Sequence, residues 1–169
     1  MNTKLSLFGA LAIAGTMFFA GCDDPCKDVV CVNGECVEGT CVCDAGYEGT
    51  DCGTAINAKF SGSYSLTETC TPSGGPFTYA ITVAPKSGTT DEVTFTGLWA
   101  EPGFVANGSV SADGLAFTIE RQTIGTLTNR ELSATGTITA DGSTITIAYN
   151  AYETGVATAL DACTGSMTK

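Results

Sequence analysis

The feature that most constrains the fold of this chain is a cluster of cysteines near its amino terminus. Seven of the nine cysteines lie within residues 22–52. A segment this short buries too little apolar surface to fold alone, so cross-links must hold it together. The cysteine density therefore predicts an oxidising compartment and a disulfide-bonded unit.

The residues before the cysteine cluster form an apolar segment at the amino terminus. Lys4 is followed by an apolar run over residues 5–20. Sixteen helical residues cover about 24 Å, which is less than the hydrocarbon core of about 30 Å. Residues 1–21 are therefore predicted to be a signal peptide rather than a spanning helix.

The end of this leader, "FAGC", resembles the lipobox of bacterial lipoproteins, with Phe19 where leucine is usual. The resemblance implies cleavage before Cys22 and attachment of acyl chains such as palmitate to Cys22. Residues 22–25 would then be the lipidated amino terminus. One lipidated cysteine leaves eight, an even number that can pair. The alternative is an ordinary secretory leader with a cysteine nearby.

Two acidic residues, Asp23 and Asp24, follow the lipobox directly. Acidic residues directly after the cysteine resemble the inner-membrane retention signal of enterobacterial lipoproteins. They also resemble the surface-export signal of Bacteroidetes-type lipoproteins. We expect a lipid-anchored protein of the outer membrane, at the cell surface. The periplasmic face is the alternative.

The six following cysteines resemble an EGF-like module over residues 26–52, with the spacing C-x4-C-x4-C-x4-C-x-C-x8-C and the closing motif "CDAGYEGTDC". The family's pairing pattern implies the bonds Cys26–Cys36, Cys31–Cys41 and Cys43–Cys52. No metal is expected, because the C-x-C step does not fit a zinc knuckle and half of the family's calcium motif is missing. The resemblance implies a stiff spacer, with a binding module as the alternative.

Charge and composition exclude several functions. The formal net charge is −11, which argues against nucleic acid as a partner, because that binding requires clustered lysine and arginine. The chain has no histidine, so Ser-His-Asp and Cys-His catalysis are excluded. No paired nucleophile and base and no phosphate loop is present. We expect no catalytic residues, no enzyme activity and no cofactor.

After a short linker at residues 53–58, the apolar residues alternate with polar ones through residues 59–169. Such alternation predicts antiparallel strands with one buried face. Turn motifs such as Asp113-Gly114 and Asp141-Gly142 separate them. Eight strands are predicted, near residues 59–69, 76–84, 92–99, 104–111, 115–122, 130–139, 143–150 and 156–166.

The last two cysteines, Cys70 and Cys163, fall on the first and last of these strands. In an up-and-down sheet, those strands are neighbours only if the sheet closes. We therefore expect an all-β chain in which the EGF-like module precedes an eight-stranded antiparallel β-barrel, with a Cys70–Cys163 bond at its seam. The architecture resembles that of lipocalins. A β-sandwich is the alternative fold.

A barrel of this size is about the smallest that can hold a ligand. The best candidates for contact residues are Trp99, Phe104 and Tyr79. The wider set of aromatic residues that line either a pocket or an ordinary core is Tyr64, Phe77, Tyr79, Phe95, Trp99, Phe104, Phe117 and Tyr149. The expected function is non-catalytic binding of a small molecule, a glycan or an envelope protein. The alternative is a structural or accessory subunit of an outer-membrane complex.

Overall fold

A computed structural model of the chain describes residues 24–101, 103–124 and 127–169. The predicted signal peptide and Cys22 lie outside these residues. The described part forms twelve strands and two 3₁₀ helices, Ile56–Phe60 and Leu98–Ala100. The strands are β1 (Gly34–Val37), β2 (Thr40–Cys43), β3 (Tyr47–Glu48), β4 (Thr54–Ala55), β5 (Gly62–Thr71), β6 (Gly74–Pro85), β7 (Glu92–Thr96), β8 (Val105–Val110), β9 (Ala116–Ile124), β10 (Leu127–Ile138), β11 (Thr144–Glu153) and β12 (Ala159–Thr168).

The last eight strands form a closed antiparallel barrel in the order β10-β11-β12-β5-β6-β7-β8-β9. Each strand pairs with its neighbours in sequence, and β12 pairs with β5 to close the ring. The fold prediction is therefore confirmed and the sandwich alternative is wrong. Cys163 lies directly opposite Cys70 at this seam, and the two are joined by a disulfide.

Alternation along the strands separates the inside of the barrel from the outside. On β5 the buried positions are Tyr64, Leu66, Glu68 and Cys70, whereas the exposed ones are serine and threonine. The same period of two repeats on β8 and β11. Apolar side chains from all eight barrel strands therefore meet in one core, whose largest fully buried members include Leu66, Ile81, Phe95, Ile119, Leu132, Ile145, Ile147 and Tyr149.

The amino-terminal segment contains two small sheets, β1-β2 and β3-β4. Three disulfides hold it together, namely Cys26–Cys36, Cys31–Cys41 and Cys43–Cys52. These are the pairs that the resemblance implied. We refer to residues 26–52 as the cysteine-rich module.

The segment 53–58, expected as a linker, is ordered and packed. Its first part forms β4, which pairs with β3 of the module. Its second part begins the 3₁₀ helix Ile56–Phe60, in which Ile56 and Phe60 are buried in the barrel core. A five-residue helix of this kind has too short a pattern to be predicted from periodicity. It closes one end of the barrel, and Phe60 accepts a hydrogen bond from the Tyr64 hydroxyl at 2.9 Å.

The module contacts this closed end of the barrel directly. The ammonium group of Lys59 lies 2.9 Å from a carboxylate oxygen of Glu48. The side-chain amide of Asn57, which is buried, donates to the carbonyls of Thr89 and Glu92 at 3.1 and 2.9 Å. We call this end, which carries the β6–β7, β8–β9 and β10–β11 connections, the module end, and the opposite end the free end.

The third predicted strand is too long. It was expected to reach residue 99, but β7 ends at Thr96. Gly97 turns the chain out of the sheet with φ of 96°, and Trp99 follows in the left-handed region with φ of 57°. Trp99 therefore lies in a turn at the free end.

No helix among the described residues is long and apolar enough to cross a membrane.

Candidate functional site

A pocket of about 300 Å³ opens at the free end of the barrel. It lies between the end of β5, the start of β6 and the turn that follows β7. Its lining combines aromatic, small and acidic side chains, from Glu68, Cys70, Ser73, Phe77, Tyr79, Trp99, Ala100 and Asp161. Its size is at the lower end of the range for small-molecule sites.

Glu68 is the unusual residue of this pocket, because it is an acid on the inward face of a strand. Its exposed fraction is only 3%. One carboxylate oxygen, Oε1, accepts hydrogen bonds from the hydroxyls of Tyr79 at 2.6 Å and Tyr149 at 2.7 Å. Hydrogen bonds to a charged acceptor are short and strong, so the two tyrosines hold this carboxylate in a fixed position.

The other carboxylate oxygen of Glu68 is left without a partner. Oε2 is buried and has no hydrogen-bond partner among the described residues. A buried polar atom without a partner costs about 1–3 kcal/mol, and more when it is charged. A group retained at such a cost is a candidate for contact with a ligand.

The two tyrosines that hold Glu68 are themselves perturbed. Burial, together with the hydrogen bond to Glu68, raises the pKa of Tyr79 well above its usual range. Burial and contact with Tyr79 raise the pKa of Tyr149 further still. The two hydroxyl oxygens are 3.3 Å apart. Both phenols therefore stay neutral and act as donors towards Glu68.

A second acid lines the pocket from β12, the strand that pairs with β5. Asp161, on β12, is 6% exposed. Its oxygens accept hydrogen bonds from the backbone N–H of Ser73 at 3.1 Å and from the Ser73 hydroxyl at 2.7 Å. This contact fixes the β5–β6 connection, so the rim of the pocket is ordered by its own side chains.

The turn that carries Trp99 has a strained backbone. Trp99 and Ala100 have φ values of 57° and 54°, in the left-handed region that non-glycine residues rarely adopt. Such conformations cost about 1–3 kcal/mol each and cluster at binding sites. The conformation brings the indole to the pocket wall, where it also packs against the core.

The structure separates the three predicted contact residues. Tyr79 and Trp99 line the pocket, whereas Phe104 is 2% exposed and packs in the core. Phe104, which directly precedes β8, is therefore a structural residue, because its side chain is buried in the core. Of the wider aromatic set, Phe77 lines the pocket with 42% exposure. The remaining members, Tyr64, Phe95, Phe117 and Tyr149, are core residues.

Glu68 and Asp161 are not among the contact residues predicted from the sequence. The signal for Glu68 was present, because the alternation that marks Tyr64, Leu66 and Cys70 as inward also marks Glu68. An acid on an otherwise apolar face is rare without a partner. Asp161 lies on the inward face of β12 in the same way, with Cys163 and Met167.

Glu68 does not form a metal site with its neighbours. Its carboxylate lies close to the sulfurs of Cys70 and Cys163, within 4.8 Å. Those sulfurs are joined in a disulfide and so offer no thiolate. Ca²⁺ and Mg²⁺ require about six or more oxygen ligands, and the described lining offers one unpartnered carboxylate oxygen.

A shallow depression of about 340 Å³ crosses the outside of β9 to β12. Its outward-facing residues are short or polar, such as Thr118, Thr135, Ala148 and Thr164. It contains no unpartnered buried polar atom among the described residues. The pocket at the free end is therefore the better candidate site.

No protein-family model matches the chain, and neither does any curated protein. One solved structure that resembles it is a Bacteroides fragilis protein described, provisionally, as an outer membrane protein. The identity is 20%, the TM-score is 0.40, and the match covers 68% of this chain and 52% of the other. The chain thus spans about half the length of that protein.

Proposed function

We propose that this protein is a lipid-anchored envelope protein whose barrel binds a small ligand without transforming it. The pocket at the free end, with the buried carboxylate of Glu68 in its wall, is the observation that carries this proposal. The anchor is the lipid on Cys22, the spacer is an EGF-like cysteine-rich module, and the location is the outer membrane, facing the cell surface.

Sequence and architecture together support the anchor. The "FAGC" motif ends the apolar leader, and only residues 23–25 separate it from the cysteine-rich module. The cysteine-rich module, which follows the anchor in the chain, contacts one end of the barrel through the Glu48–Lys59 ion pair. The pocket lies at the opposite, free end of the barrel. A ligand that approaches from outside the cell would meet the free end first.

The filled interior supports binding at the mouth rather than deep inside. Below the pocket the barrel is packed with large side chains such as Leu66, Ile119 and Ile147, which are almost completely buried. At the module end, Phe60 closes the barrel. A ligand would therefore contact Tyr79 and Trp99 at the rim while its polar group reaches Glu68.

The chemistry of the pocket suits binding better than catalysis. Both tyrosines bonded to Glu68 have raised pKa values, so neither is an activated base or nucleophile near neutral pH. The carboxylate is held rigidly by two donors. Such a group fixes the orientation of a ligand.

A second candidate function, an accessory subunit of an envelope complex, is favoured by a different observation. Four valines of the cysteine-rich module are exposed, namely Val30, Val32, Val37 and Val42. Large contiguous apolar patches mark protein–protein contact surfaces, and these valines would contribute to one. Crosslinking on whole cells, followed by identification of any protein joined to the module, tests this candidate.

Two experiments test the main proposal. Changing Cys22→Ser should abolish incorporation of labelled palmitate, and retained label would contradict the lipid anchor. For the pocket, the chain offers a built-in reporter, since Trp99 is its one tryptophan. Small aromatic probes of different charge should change Trp99 fluorescence in a saturable way. If none does, the binding function is contradicted.

A further inference from the structure

We propose that the pocket at the free end recognises a primary ammonium group carried on a small apolar skeleton. This inference rests on the proposed binding function and names the ligand's chemistry. The ammonium would donate a hydrogen bond to Oε2 of Glu68, and the apolar part would lie against Trp99 and Tyr79.

The hydrogen-bonding pattern around Glu68 calls for a donor. Oε1 already accepts from Tyr79 and Tyr149, whereas Oε2 is buried with no partner among the described residues. A carboxylate only accepts hydrogen bonds. A ligand carrying N–H donors would satisfy Oε2, and a ligand that carries only acceptors would leave it unpaired.

The charge of the pocket favours a cation. Glu68 and Asp161 both line it, and no lysine or arginine is among its described lining residues. Two carboxylates beside one small cavity make its potential negative, and the net charge of −11 adds to this. A cationic ligand relieves that potential, whereas an anion would be repelled.

The aromatic walls favour an organic ammonium over a metal ion. Trp99, Tyr79 and Phe77 form much of the lining, and the face of an aromatic ring attracts an ammonium group. A hard divalent cation prefers a shell of oxygen ligands, which these rings do not provide. With about 300 Å³ available, the ligand is small.

Calorimetric titration of the full-length protein in a nonionic detergent tests this inference. The probes are phenethylammonium, its neutral counterpart phenethyl alcohol, the anion phenylpropanoate, and CaCl₂ alone. Phenethylammonium should bind at least about tenfold more tightly than the alcohol, because the alcohol lacks the charge that Glu68 complements. Phenylpropanoate should bind more weakly than either.

Three variants locate the recognition. Glu68→Gln keeps an oxygen for the two tyrosines but removes the charge. It should lower the affinity for phenethylammonium by about 30-fold or more and leave the affinity for the alcohol unchanged. Glu120→Gln, which removes an exposed charge on β9 outside this pocket, should leave both affinities unchanged. Trp99→Leu should lower the affinity for phenethylammonium by about tenfold more than it lowers the affinity for the alcohol. Trp99→Phe, which keeps an aromatic ring, should retain most of the affinity for phenethylammonium.

The inference is overturned if the alcohol or the anion binds as tightly as the cation. It is also overturned if Glu68→Gln, shown to be folded by its thermal unfolding, leaves the cation's affinity unchanged, or if Ca²⁺ binds stoichiometrically and displaces the cation. Should Glu68→Gln not fold, Trp99→Leu decides through the cation-to-alcohol ratio. If the alcohol binds and the cation does not, the proposed binding function survives and only this inference falls. If no probe binds, both fall.

Discussion

The hydroxyl of Tyr149 donates a hydrogen bond to Oε1 of Glu68 at 2.7 Å, across 81 positions of sequence. The two residues lie on β11 and β5, which are separated in the barrel by β12. Their contact therefore crosses the interior near the free end. It exists only because the barrel closes, and it ties the candidate site to the fold.

Removing this hydroxyl should destabilise the protein. Tyr149→Phe leaves Glu68 with one donor instead of two, and we expect a loss of about 1–3 kcal/mol in the free energy of unfolding. Tyr152→Phe is the matched control, because the one hydrogen bond of the Tyr152 hydroxyl among the described residues is a 3.4 Å contact with Ser133 near the surface. Denaturant unfolding of both variants measures the difference. Equal stabilities would contradict a buried network around Glu68.

Space for Glu68 depends on a glycine on the neighbouring strand. Gly165 lies opposite Glu68, and a Cβ there would be 2.7 Å from Leu66 Cδ1 and 2.8 Å from Glu68 Cβ. Gly165→Ala should therefore cost about 1–3 kcal/mol of stability through overpacking. Gly103→Ala, where a Cβ would meet nothing within 4 Å, should change stability by less than about 0.5 kcal/mol. Similar melting temperatures for the two variants would refute this packing.

The buried tyrosines predict a sensitivity to alkali. Burial raises the pKa of Tyr64 to about 12, and the pKa values of Tyr79 and Tyr149 are raised further, from an ordinary value of 10.0. Above pH 10 the unfolded chain releases protons that the folded chain retains. Stability should thus be constant just below pH 10 and fall as pH rises through about 12. Denaturant unfolding measured across that range, with tyrosinate absorbance, checks this, and a flat profile would be the contrary result.

The seam disulfide should contribute to stability through the unfolded chain. Cys70 and Cys163 are 93 positions apart, and closing a loop of about 100 residues contributes up to about 4.7 kcal/mol in the entropy model. Replacing both cysteines by alanine should lower the melting temperature clearly. The three bonds of the cysteine-rich module should persist, as peptide mapping would show. A bond between Cys70 or Cys163 and any cysteine of residues 26–52 would instead remove the two-unit architecture.

Much of the fold can be predicted from the sequence, because apolar and polar residues alternate regularly along the barrel strands. Alternation on β5 and β11 gives the strands, and the positions of Cys70 and Cys163 give the closure. Local structure with a short or irregular period does not follow in this way. The 3₁₀ helix Ile56–Phe60 occupies residues expected as linker and first strand, since five residues carry no distinct pattern.

The site was only half predictable for a related reason. Tyr79 and Trp99 can be predicted as contact residues because they are aromatic. Glu68 can be predicted only from its place in the alternation of β5, which puts an acid on an otherwise apolar face. Its importance comes from Tyr79 and Tyr149, which reach it from other strands. Contacts of that kind depend on register and closure, which single-strand patterns do not encode.

The central claim is that the pocket at the free end is the ligand site, and NMR titration tests it most directly. The single indole N–H signal belongs to Trp99 and needs no assignment by mutagenesis. Titration with phenethylammonium should shift that signal saturably, together with the backbone signals of Glu68, Tyr79 and Asp161. Saturable shifts confined to the cysteine-rich module or to the outside of β9–β12, with the indole signal unchanged, would contradict the account.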